Sequence, residues 1–295
     1  MLPVLLRWYD SHGRDLPWRH TRDPYKILVS EMMLQQTQVS RVIGYYHRWL
    51  TLFPNWATLA QAGTSAVIRA WSGLGYNRRA LALQGIAKRV VKEGEPDTYA
   101  GWLALKGIGP YTAAAISVFA QHRPLLPIDT NIRRVLGRAF LGRGFPTATA
   151  DDAVRRKVEP QLGRIQRFYD VPQALFDLAN THCLKTPDCK RCPLRASCAA
   201  APKFLSGRVR VPKRSIAKAR ERIREGKRYP DRIYRGRILT EVQSSRQGTA
   251  LKTLGAIIDT SFDPQSDRPW LEAMVSRLVK DGLLVEKQGY LYLPA

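Results

Sequence analysis

Apolar residues recur with helical spacing through the first 200 residues of the chain. Pro and Gly residues separate the apolar segments, and no convincing alternating strand pattern appears among them. The pattern therefore predicts a mainly α architecture up to about residue 200. The predicted helices cover residues 3–11, 24–51, 55–61, 64–73, 78–93, 98–105, 110–121, 130–140, 149–160 and 169–182.

The pattern changes after residue 200. Residues 203–237 carry 14 Lys and Arg against three Asp and Glu. The stretch KARERIREGKR (218–228) has the composition of a solvated helix, and the rest reads as a linker. This change in composition predicts a basic linker over residues 201–230, with a charged surface arm as the alternative. Such an arm can itself be functional, since basic arms track phosphates.

Residues 231–295 form a second patterned region. Three helical stretches, DRIYRGRILTEV, KTLGAIIDT and PWLEAMVSRLVKDGL, precede LLVEKQGYLYL, which alternates around a glycine as a β-hairpin does. Three helices followed by a hairpin are typical of a winged helix. We predict a small C-terminal α+β domain of this kind, which binds DNA through its third helix or only mediates protein contacts.

Composition and charge narrow the range of partners. The chain has 295 residues, is 44% hydrophobic, and carries 48 Lys and Arg against 24 Asp and Glu, a formal net charge of +24. Such an excess favours a polyanionic partner, with an acidic membrane surface as the alternative. No apolar run has the length of a membrane span or of a signal peptide core, so we expect no membrane association and a cytoplasmic location.

The stretch LKGIGPYTAAA (105–115) joins two predicted helices. Gly107 and Gly109 permit tight backbone angles and close approach by a ligand, and Pro110 suits the first turn of the second helix. Exposed amides at a helix N-terminus bind phosphate. The pattern indicates a helix-hairpin-helix that binds a nucleic-acid backbone, or else an ordinary turn between core helices.

All four cysteines fall within residues 183–198, spaced C-x5-C-x2-C-x5-C. A protein without an export signal has little use for disulfides, so this cluster predicts a metal site. Zinc and a [4Fe–4S] cluster both accept four cysteines, and the spacing does not choose between them. The candidate ligands are Cys183, Cys189, Cys192 and Cys198.

Residues 1 to about 200 resemble the helix-hairpin-helix DNA glycosylase superfamily, and within it the MutY-like adenine DNA glycosylases. The resemblance is carried by LPWR (16–19), DPYKILVSEMMLQQTQV (23–39), WSGLGY (71–76), LKGIGPYTAAAI (105–116), PIDTNIRRVLGR (127–138) and the cysteine loop. It implies a two-lobed glycosylase domain over residues 1–200 and a [4Fe–4S] cluster rather than zinc at residues 183–198. The implied partner is double-stranded DNA with a mismatched or damaged base pair, bound by a monomer associated with the nucleoid.

Breaking a base–sugar bond requires protonation of the leaving base and stabilisation of positive charge on the sugar, and two carboxyl groups generally serve these roles. Glu31, set among apolar helix residues, is the candidate general acid, and Asp129 is the second carboxylate. Without the family motifs, Glu31 reads as a satisfied core acid and Asp129 as a helix cap. Tyr111 occupies the position of the lysine that attacks the sugar in endonuclease III, so we predict a glycosylase without lyase activity. Asn131 is expected to orient Asp129 or the attacking water.

A target base in a duplex must be flipped out and the gap filled. Gln35, Gln36 and Tyr76 match family positions that enter the duplex around the opposite base. Read without the family, Tyr76 is a core aromatic residue. Arg19 in LPWR is expected to face the extruded base or a phosphate, with a surface arginine as the alternative.

Two features depart from the family pattern. The first cysteine interval is five residues rather than the common six, and residues 231–295 are too short for the domain that reads 8-oxoguanine in many relatives. The resemblance implies base excision of adenine opposite 8-oxoguanine or guanine. The alternatives are a thymine or uracil glycosylase acting on G mismatches and a non-catalytic DNA-binding protein on the same scaffold.

Overall fold

The computed structural model describes residues 1–211, 223–245 and 247–295, which group by their contacts into two compact units. The described residues of unit 1 fall within Met1–Glu31 and Pro96–Arg214, and those of unit 2 within Met32–Glu95 and Ser215–Ala295. The chain passes between the units directly after Glu31. This grouping does not follow the predicted domains 1–200, 201–230 and 231–295, whose boundaries stay predictions.

Helices dominate the described residues, and the first 200 residues contain no strand. The helices are α1 Leu2–His12, α2 Pro24–Leu34, α3 Val39–Leu52, α4 Trp56–Gln61, α5 Thr64–Trp71, α6 Arg78–Glu93, α7 Tyr99–Leu103, α8 Pro110–Phe119, α9 Thr130–Leu141, α10 Asp151–Leu162, α11 Asp170–Thr181, α12 Ala201–Leu205, α13 Asp231–Ser244, α14 Leu251–Ile258 and α15 Arg268–Lys280. The strands are β1 Thr249–Ala250, β2 Val285–Lys287 and β3 Tyr290–Tyr292. No helix of the described residues is long and apolar enough to cross a membrane.

Unit 1 is built around α9 and α11. Ile132 and Val135 of α9 pack with Leu175 and Leu178 of α11 in one buried cluster, to which α1 contributes Leu5. The start of α9 is fixed by Asp129, whose side chain accepts hydrogen bonds from two backbone N–H groups of the first turn. The same core therefore determines where that carboxyl group lies.

Unit 2 combines α3 to α6 with the C-terminal helices and sheet. The three strands pair antiparallel in the order β1-β3-β2, with Glu286 opposite Leu291 in the hairpin. The predicted succession of three helices and a hairpin is confirmed. Strand β1 was not predicted, because two residues are too few to show an alternating pattern.

The predicted helix over residues 24–51 is wrong in its middle, where a turn separates α2 from α3. The guanidinium group of Arg79 bonds the carbonyl oxygens of Met32, in the last turn of α2, and of Gln35, the residue after the helix. A side chain more than 40 residues away in the sequence thus satisfies backbone oxygens where the helix ends, a contact that local spacing does not reveal.

The predicted solvated helix at 218–228 lies outside the described residues as far as residue 222. Residues 223–228 are described and are not helical. Lys227 is buried there, and its ammonium group bonds the carboxylates of Asp259 and Asp267. A buried double ion pair holds this end of the basic segment against the C-terminal helices, so a helix fully surrounded by solvent is excluded for these residues.

Candidate functional site

Glu31 is a buried acid on α2, with only 8% of the residue exposed. The hydroxyl group of Tyr111 hydrogen-bonds its carboxyl group. Burial raises the pKa of Glu31 from 4.5 to about 7, against the lowering effect of the Tyr111 bond and with a further increase from the nearby Asp129. At neutral pH this side chain is therefore a mixture of acid and carboxylate, as a general acid requires.

Tyr111 lies in the first turn of α8, directly after Pro110 at the first helical position. Burial raises the pKa of Tyr111 well above its usual value, and the negative charges of Glu31 and Asp129 raise it further. The phenol consequently stays protonated at neutral pH, and its O–H group is the donor of the hydrogen bond to Glu31. Tyr111 thus partners the acid and has no amine with which to attack a sugar.

Asp129 is the N-cap of α9. Its Oδ1 accepts from the backbone N–H groups of Asn131 at 2.8 Å and Ile132 at 2.7 Å, and its Oδ2 accepts from Asn131 Nδ2 at 2.8 Å. Three donors stabilise negative charge on the carboxylate. The helix-cap interpretation of Asp129 is therefore correct, and it is compatible with catalysis, because capping fixes the carboxylate close enough to Glu31 to raise its pKa.

The turn between α7 and α8 has the two glycines in different roles. Gly107 has a φ of +101°, which L-amino acids with side chains rarely adopt. Gly109 caps α8 with φ −97°, and a Cβ added there would meet no heavy atom within 4 Å. The backbone of the turn requires glycine at 107, whereas at 109 the small residue leaves open space at the N-terminus of α8.

Arg19 is neither at the surface nor free. Its guanidinium group bonds both carboxylate oxygens of Asp177, at 2.7 and 2.9 Å, and the hydroxyl of Tyr9 at 3.2 Å. Burial raises the pKa of Asp177, but the bonds from Arg19 and Arg14 outweigh that effect and the net shift is downward. Sequence reasoning did not find Asp177.

Arg19 also lines a cavity of unit 1, together with Trp18, His20 and Gln173. Its Nε is buried without a hydrogen-bond partner among the described residues. Glu31 and Tyr111 do not line this cavity. The predicted contact of Arg19 with an extruded base or a phosphate stays a prediction.

In unit 2 the structure brings together two of the residues expected to enter a duplex. The Tyr76 hydroxyl donates to Gln36 Oε1, and both residues have positive φ, +49° and +57°. Tyr76 is 61% exposed, so the core-aromatic interpretation is wrong. Gln35 is exposed beside Gln36. Left-handed backbone at non-glycine residues is strained and is often found at functional sites.

Arg79 holds these two exposed turns together, and the sequence analysis missed it. Its guanidinium group donates to the carbonyl oxygens of Met32 at 2.7 Å, Gln35 at 2.6 Å and Gly75 at 3.0 Å. The residue is 8% exposed and lies on the same helical face as the buried Leu83. An arginine in phase with the apolar face of α6 is the signal that would have identified it.

The four cysteines surround one pocket of unit 1, lined also by His182 and Arg138. Burial raises the pKa of Cys192 to about 11 and raises that of Cys183 and Cys189 as well. As free groups these three are therefore neutral thiols at pH 7, whereas metal ligation requires thiolates. In the described residues no three His, Cys, Asp or Glu side chains are close enough to hold a single metal ion.

Arg138 supplies positive charge beside the cysteines. The residue is 2% exposed and bonds Cys183 Sγ at 3.4 Å and the carbonyl oxygens of Gly144, Leu184 and Lys185. None of these partners is a carboxylate. A buried guanidinium group facing thiols fits an anionic group bound by the four sulfur atoms.

Three relatives with similar sequences are each named adenine DNA glycosylase. The chain matches the HhH-GPD superfamily of base excision DNA repair proteins over residues 29–160. An adenine DNA glycosylase of Mycolicibacterium smegmatis is 35% identical over 284 residues, 94% of this chain and 91% of that protein. One from Mycobacterium tuberculosis is 39% identical over 198 residues, 64% of each chain, and the human enzyme of that name is 38% identical over 38% of its length. The match thus spans less than two thirds of several relatives.

Solved structures confirm the mainly α fold. A thermostable thymine-DNA glycosylase superposes with a TM-score of 0.63 at 26% identity, covering 68% of this chain and 95% of that one. An endonuclease III–DNA covalent intermediate superposes with a TM-score of 0.57 at 19% identity, covering 69% and 95%. At that identity the second likeness shows the fold alone.

Proposed function

The chain belongs to the adenine DNA glycosylase family, within the HhH-GPD superfamily of base excision DNA repair proteins, and from this premise we propose that it is a monofunctional glycosylase. Its substrate is double-stranded DNA containing adenine opposite 8-oxoguanine or guanine, and it hydrolyses the N-glycosidic bond of that adenine. The observation that carries the proposal is the group formed by Glu31, Tyr111 and Asp129, in which one buried acid has a pKa of about 7.

The reaction divides between the two carboxyl groups. As the bond between base and sugar breaks, its electron pair leaves with the base, and Glu31 donates a proton to that base. The positive charge on the sugar is stabilised by Asp129, whose charge is held in place by Asn131 and the start of α9. Water then adds to the sugar, and its proton passes to one of the two carboxylates.

Tyr111 determines what the enzyme leaves behind. Its phenol hydrogen-bonds Glu31 and cannot form the Schiff base that a lysine amine forms. The product is therefore an intact strand with an abasic site, which breaks only on later treatment with alkali.

Two elements support binding to DNA. The N-terminus of α8 has no side-chain cap and has open space at Gly109, which suits approach by a phosphate group. The exposed turns of Gln36 and Tyr76 suit insertion around the base that remains opposite the flipped adenine. The net charge of +24 favours such a partner and predicts that affinity falls with salt.

We propose a [4Fe–4S] cluster as the group held by Cys183, Cys189, Cys192 and Cys198. The sulfur atoms around one pocket and the buried Arg138 support an anionic group of that kind. Bound to the four thiolates, the cluster contributes a structural cross-link of the loop 183–198. Iron and sulfide analysis of the purified protein, with zinc measured in the same sample, tests the assignment.

The decisive experiment is base release from duplexes that contain 8-oxoguanine:A, G:A, G:T, G:U and hypoxanthine:T pairs. Fastest release of adenine opposite 8-oxoguanine or guanine, with strand breakage only after alkali, supports the proposal. Fastest release of thymine or uracil opposite guanine would overturn the substrate and favour the activity named for the structural neighbour at 26% identity. Binding without release from any duplex would favour a non-catalytic DNA-binding protein.

A further inference from the structure

We infer that α13, the first helix of the C-terminal segment (residues 231–295), fixes the conformation of the turn 72–76 through Gln243. Gln243 is therefore a positioning residue. The inference rests on the proposed function, because the turn ends in Tyr76, the residue proposed to enter the duplex. It gives the C-terminal segment an indirect part in DNA recognition.

The contact joins the end of α13 to the end of α5. Ser72 directly follows α5, and its hydroxyl group donates to Gln243 Oε1 at 2.6 Å. The guanidinium group of Arg69, on the last turn of α5, donates to the carbonyl oxygen of Gln243. That carbonyl belongs to the last turn of α13, where helix oxygens lack intrahelical donors, so Arg69 also caps the helix.

Packing fixes the two helices against each other. Ile68 of α5 is fully buried in the same cluster as Tyr234, Ile238 and Val242 of α13. At the other end of α5, the Thr64 N–H donates to the carbonyl oxygen of Ala295 at 3.2 Å. The C-terminal segment therefore supports α5 at both ends, directly before the turn.

The turn itself leaves little freedom for another shape. Gly73 has a φ of +93°, and a Cβ added there would lie 2.2 Å from the Tyr45 hydroxyl oxygen. The carbonyl oxygen of Gly75 accepts from Trp71 Nε1 at 3.1 Å and from Arg79 Nη2 at 3.0 Å. Gln243, in the C-terminal segment, adds a further contact by accepting a hydrogen bond from the Ser72 hydroxyl group at the start of the turn.

Charge separates this role from direct phosphate binding. Residues 231–295 carry nine Lys and Arg against eight Asp and Glu, whereas residues 1–230 carry 39 against 16. A nearly neutral segment contributes little to attraction of a polyanion. The inferred route from this segment to DNA is therefore its contact with α5 and the turn.

The test uses the full-length holoenzyme with Gln243→Ala, Gln243→Glu and, as a matched control, Gln265→Ala, whose side chain is exposed between α14 and α15. The substrate is an 8-oxoguanine:A duplex with 2-aminopurine beside the mispair, so that fluorescence reports unstacking. Loss of one hydrogen bond is expected to slow single-turnover base release about fivefold to tenfold in Gln243→Ala and to reduce the fluorescence rise. Gln243→Glu keeps an acceptor for Ser72 and should restore both signals, and Gln265→Ala should match the wild type.

Wild-type release and fluorescence in Gln243→Ala would overturn the inference. Equal losses in the Ala and Glu variants, together with a lower unfolding temperature, would also overturn it, since they indicate a general structural role. If the wild type releases no base, the proposed function fails, and the 2-aminopurine signal alone decides whether Gln243 supports the turn.

Discussion

Glu31 in unit 1 and Arg79 in unit 2 are ionisable side chains buried to the same extent, with 8% of each residue exposed. Burial raises the pKa of Glu31 to about 7, with a further increase from Asp129, because the single hydrogen bond from the Tyr111 hydroxyl lowers it too little to compensate. Arg79 places its donors on carbonyl oxygens at the end of α2 and at Gly75. Burial lowers the pKa of Arg79, but a guanidinium group stays charged. A buried acid with few hydrogen-bond donors around it can release a proton near pH 7. A buried guanidinium group with enough acceptors stays charged and holds the backbone around it in place, and we call the contacts of Arg79 with Met32, Gln35 and Gly75 the Arg79 clamp.

The proposed proton donor thus lies in unit 1, whereas the buried arginine of unit 2 stabilises the two turns proposed to enter DNA. Asp129→Asn gives the strongest test of the proposed chemistry in unit 1. Asparagine can still cap α9, so the fold and DNA binding should persist. Removing the negative charge opposite the sugar should lower single-turnover base release by about a thousandfold or more. Quantitative release assays and a binding assay on the same duplex measure the two effects separately.

Asp152→Asn is the control for this substitution, because Asp152 is an exposed acid at the start of the next helix, α10. It should leave release unchanged. Activity of Asp129→Asn within tenfold of the wild type would remove Asp129 from the mechanism.

Glu31→Gln should abolish release and also stabilise the protein at alkaline pH. The pKa of Glu31 is raised from 4.5 to about 7 on folding, so the folded state binds more protons between those values, and stability falls as pH rises through them. The ionised side chain should cost about 3 kcal/mol at pH 8 and less than about 1 kcal/mol at pH 5. Denaturant unfolding of both proteins at the two pH values measures the difference.

The same pKa predicts the activity profile of the wild type. Glu31 must be protonated to donate, so release should decline as pH rises through about 7. For the Glu31→Gln variant, an increase in the free energy of unfolding that is equal at pH 5 and pH 8 would show that Glu31 is not a buried acid with a raised pKa.

Arg79→Met should remove the hydrogen bonds of the Arg79 clamp while keeping most of the side-chain volume. Three carbonyl oxygens, of Met32, Gln35 and Gly75, then lose a donor, which should lower the free energy of unfolding by about 2 to 3 kcal/mol. Selectivity for mispaired over paired DNA should fall as well. Arg78→Met, which changes the neighbouring exposed arginine, should have little effect. Similar stability of the two variants would contradict the clamp.

The sequence predicted those parts of the fold that depend on local spacing. Helices such as α6 and α9 and the C-terminal hairpin follow from periodicity and from glycine and proline positions. The break between α2 and α3 was missed because Arg79, distant in sequence, satisfies the carbonyl oxygens there. Strand β1 was missed because its pairing with β3 joins residues about 40 positions apart.

The candidate site was also predicted only in part, since some of its residues were identified and others were not. Family motifs pointed to Glu31, Tyr111 and Asp129, which the structure brings together. Their catalytic roles stay predictions. Arg79, Arg138 and Asp177 were not identified, because each lies in a helix among apolar residues and its partners come from other parts of the chain. A helical pattern indicates that such a residue is buried, but not which carbonyl or charge it meets.

The smallest predicted effect concerns Tyr111, the hydroxyl partner of the acid. In Tyr111→Phe the hydrogen bond that lowers the pKa of Glu31 is lost, while burial and Asp129 still raise it. The alkaline limb of the release profile should therefore move to higher pH, by less than about one unit. The rate at neutral pH should change severalfold at most, since proton donation by Glu31 remains. Tyr99→Phe, at the start of α7, is the matched control.

The direction of that pH shift distinguishes two roles for Tyr111, one exerted only through Glu31 and one in direct contact with the substrate. If Tyr111 acts only through Glu31, a weaker donor set favours the neutral acid, and the limb can move only upward. A downward movement, or a large loss of rate with an unmoved limb, would mean that Tyr111 contacts the substrate itself. In either case the strand should stay intact until alkali is added, because neither tyrosine nor phenylalanine provides an amine. If the limb moves upward, Tyr111 differs from both Glu31 and Arg79, because its hydroxyl group keeps its own proton and lowers the pKa of the neighbouring acid.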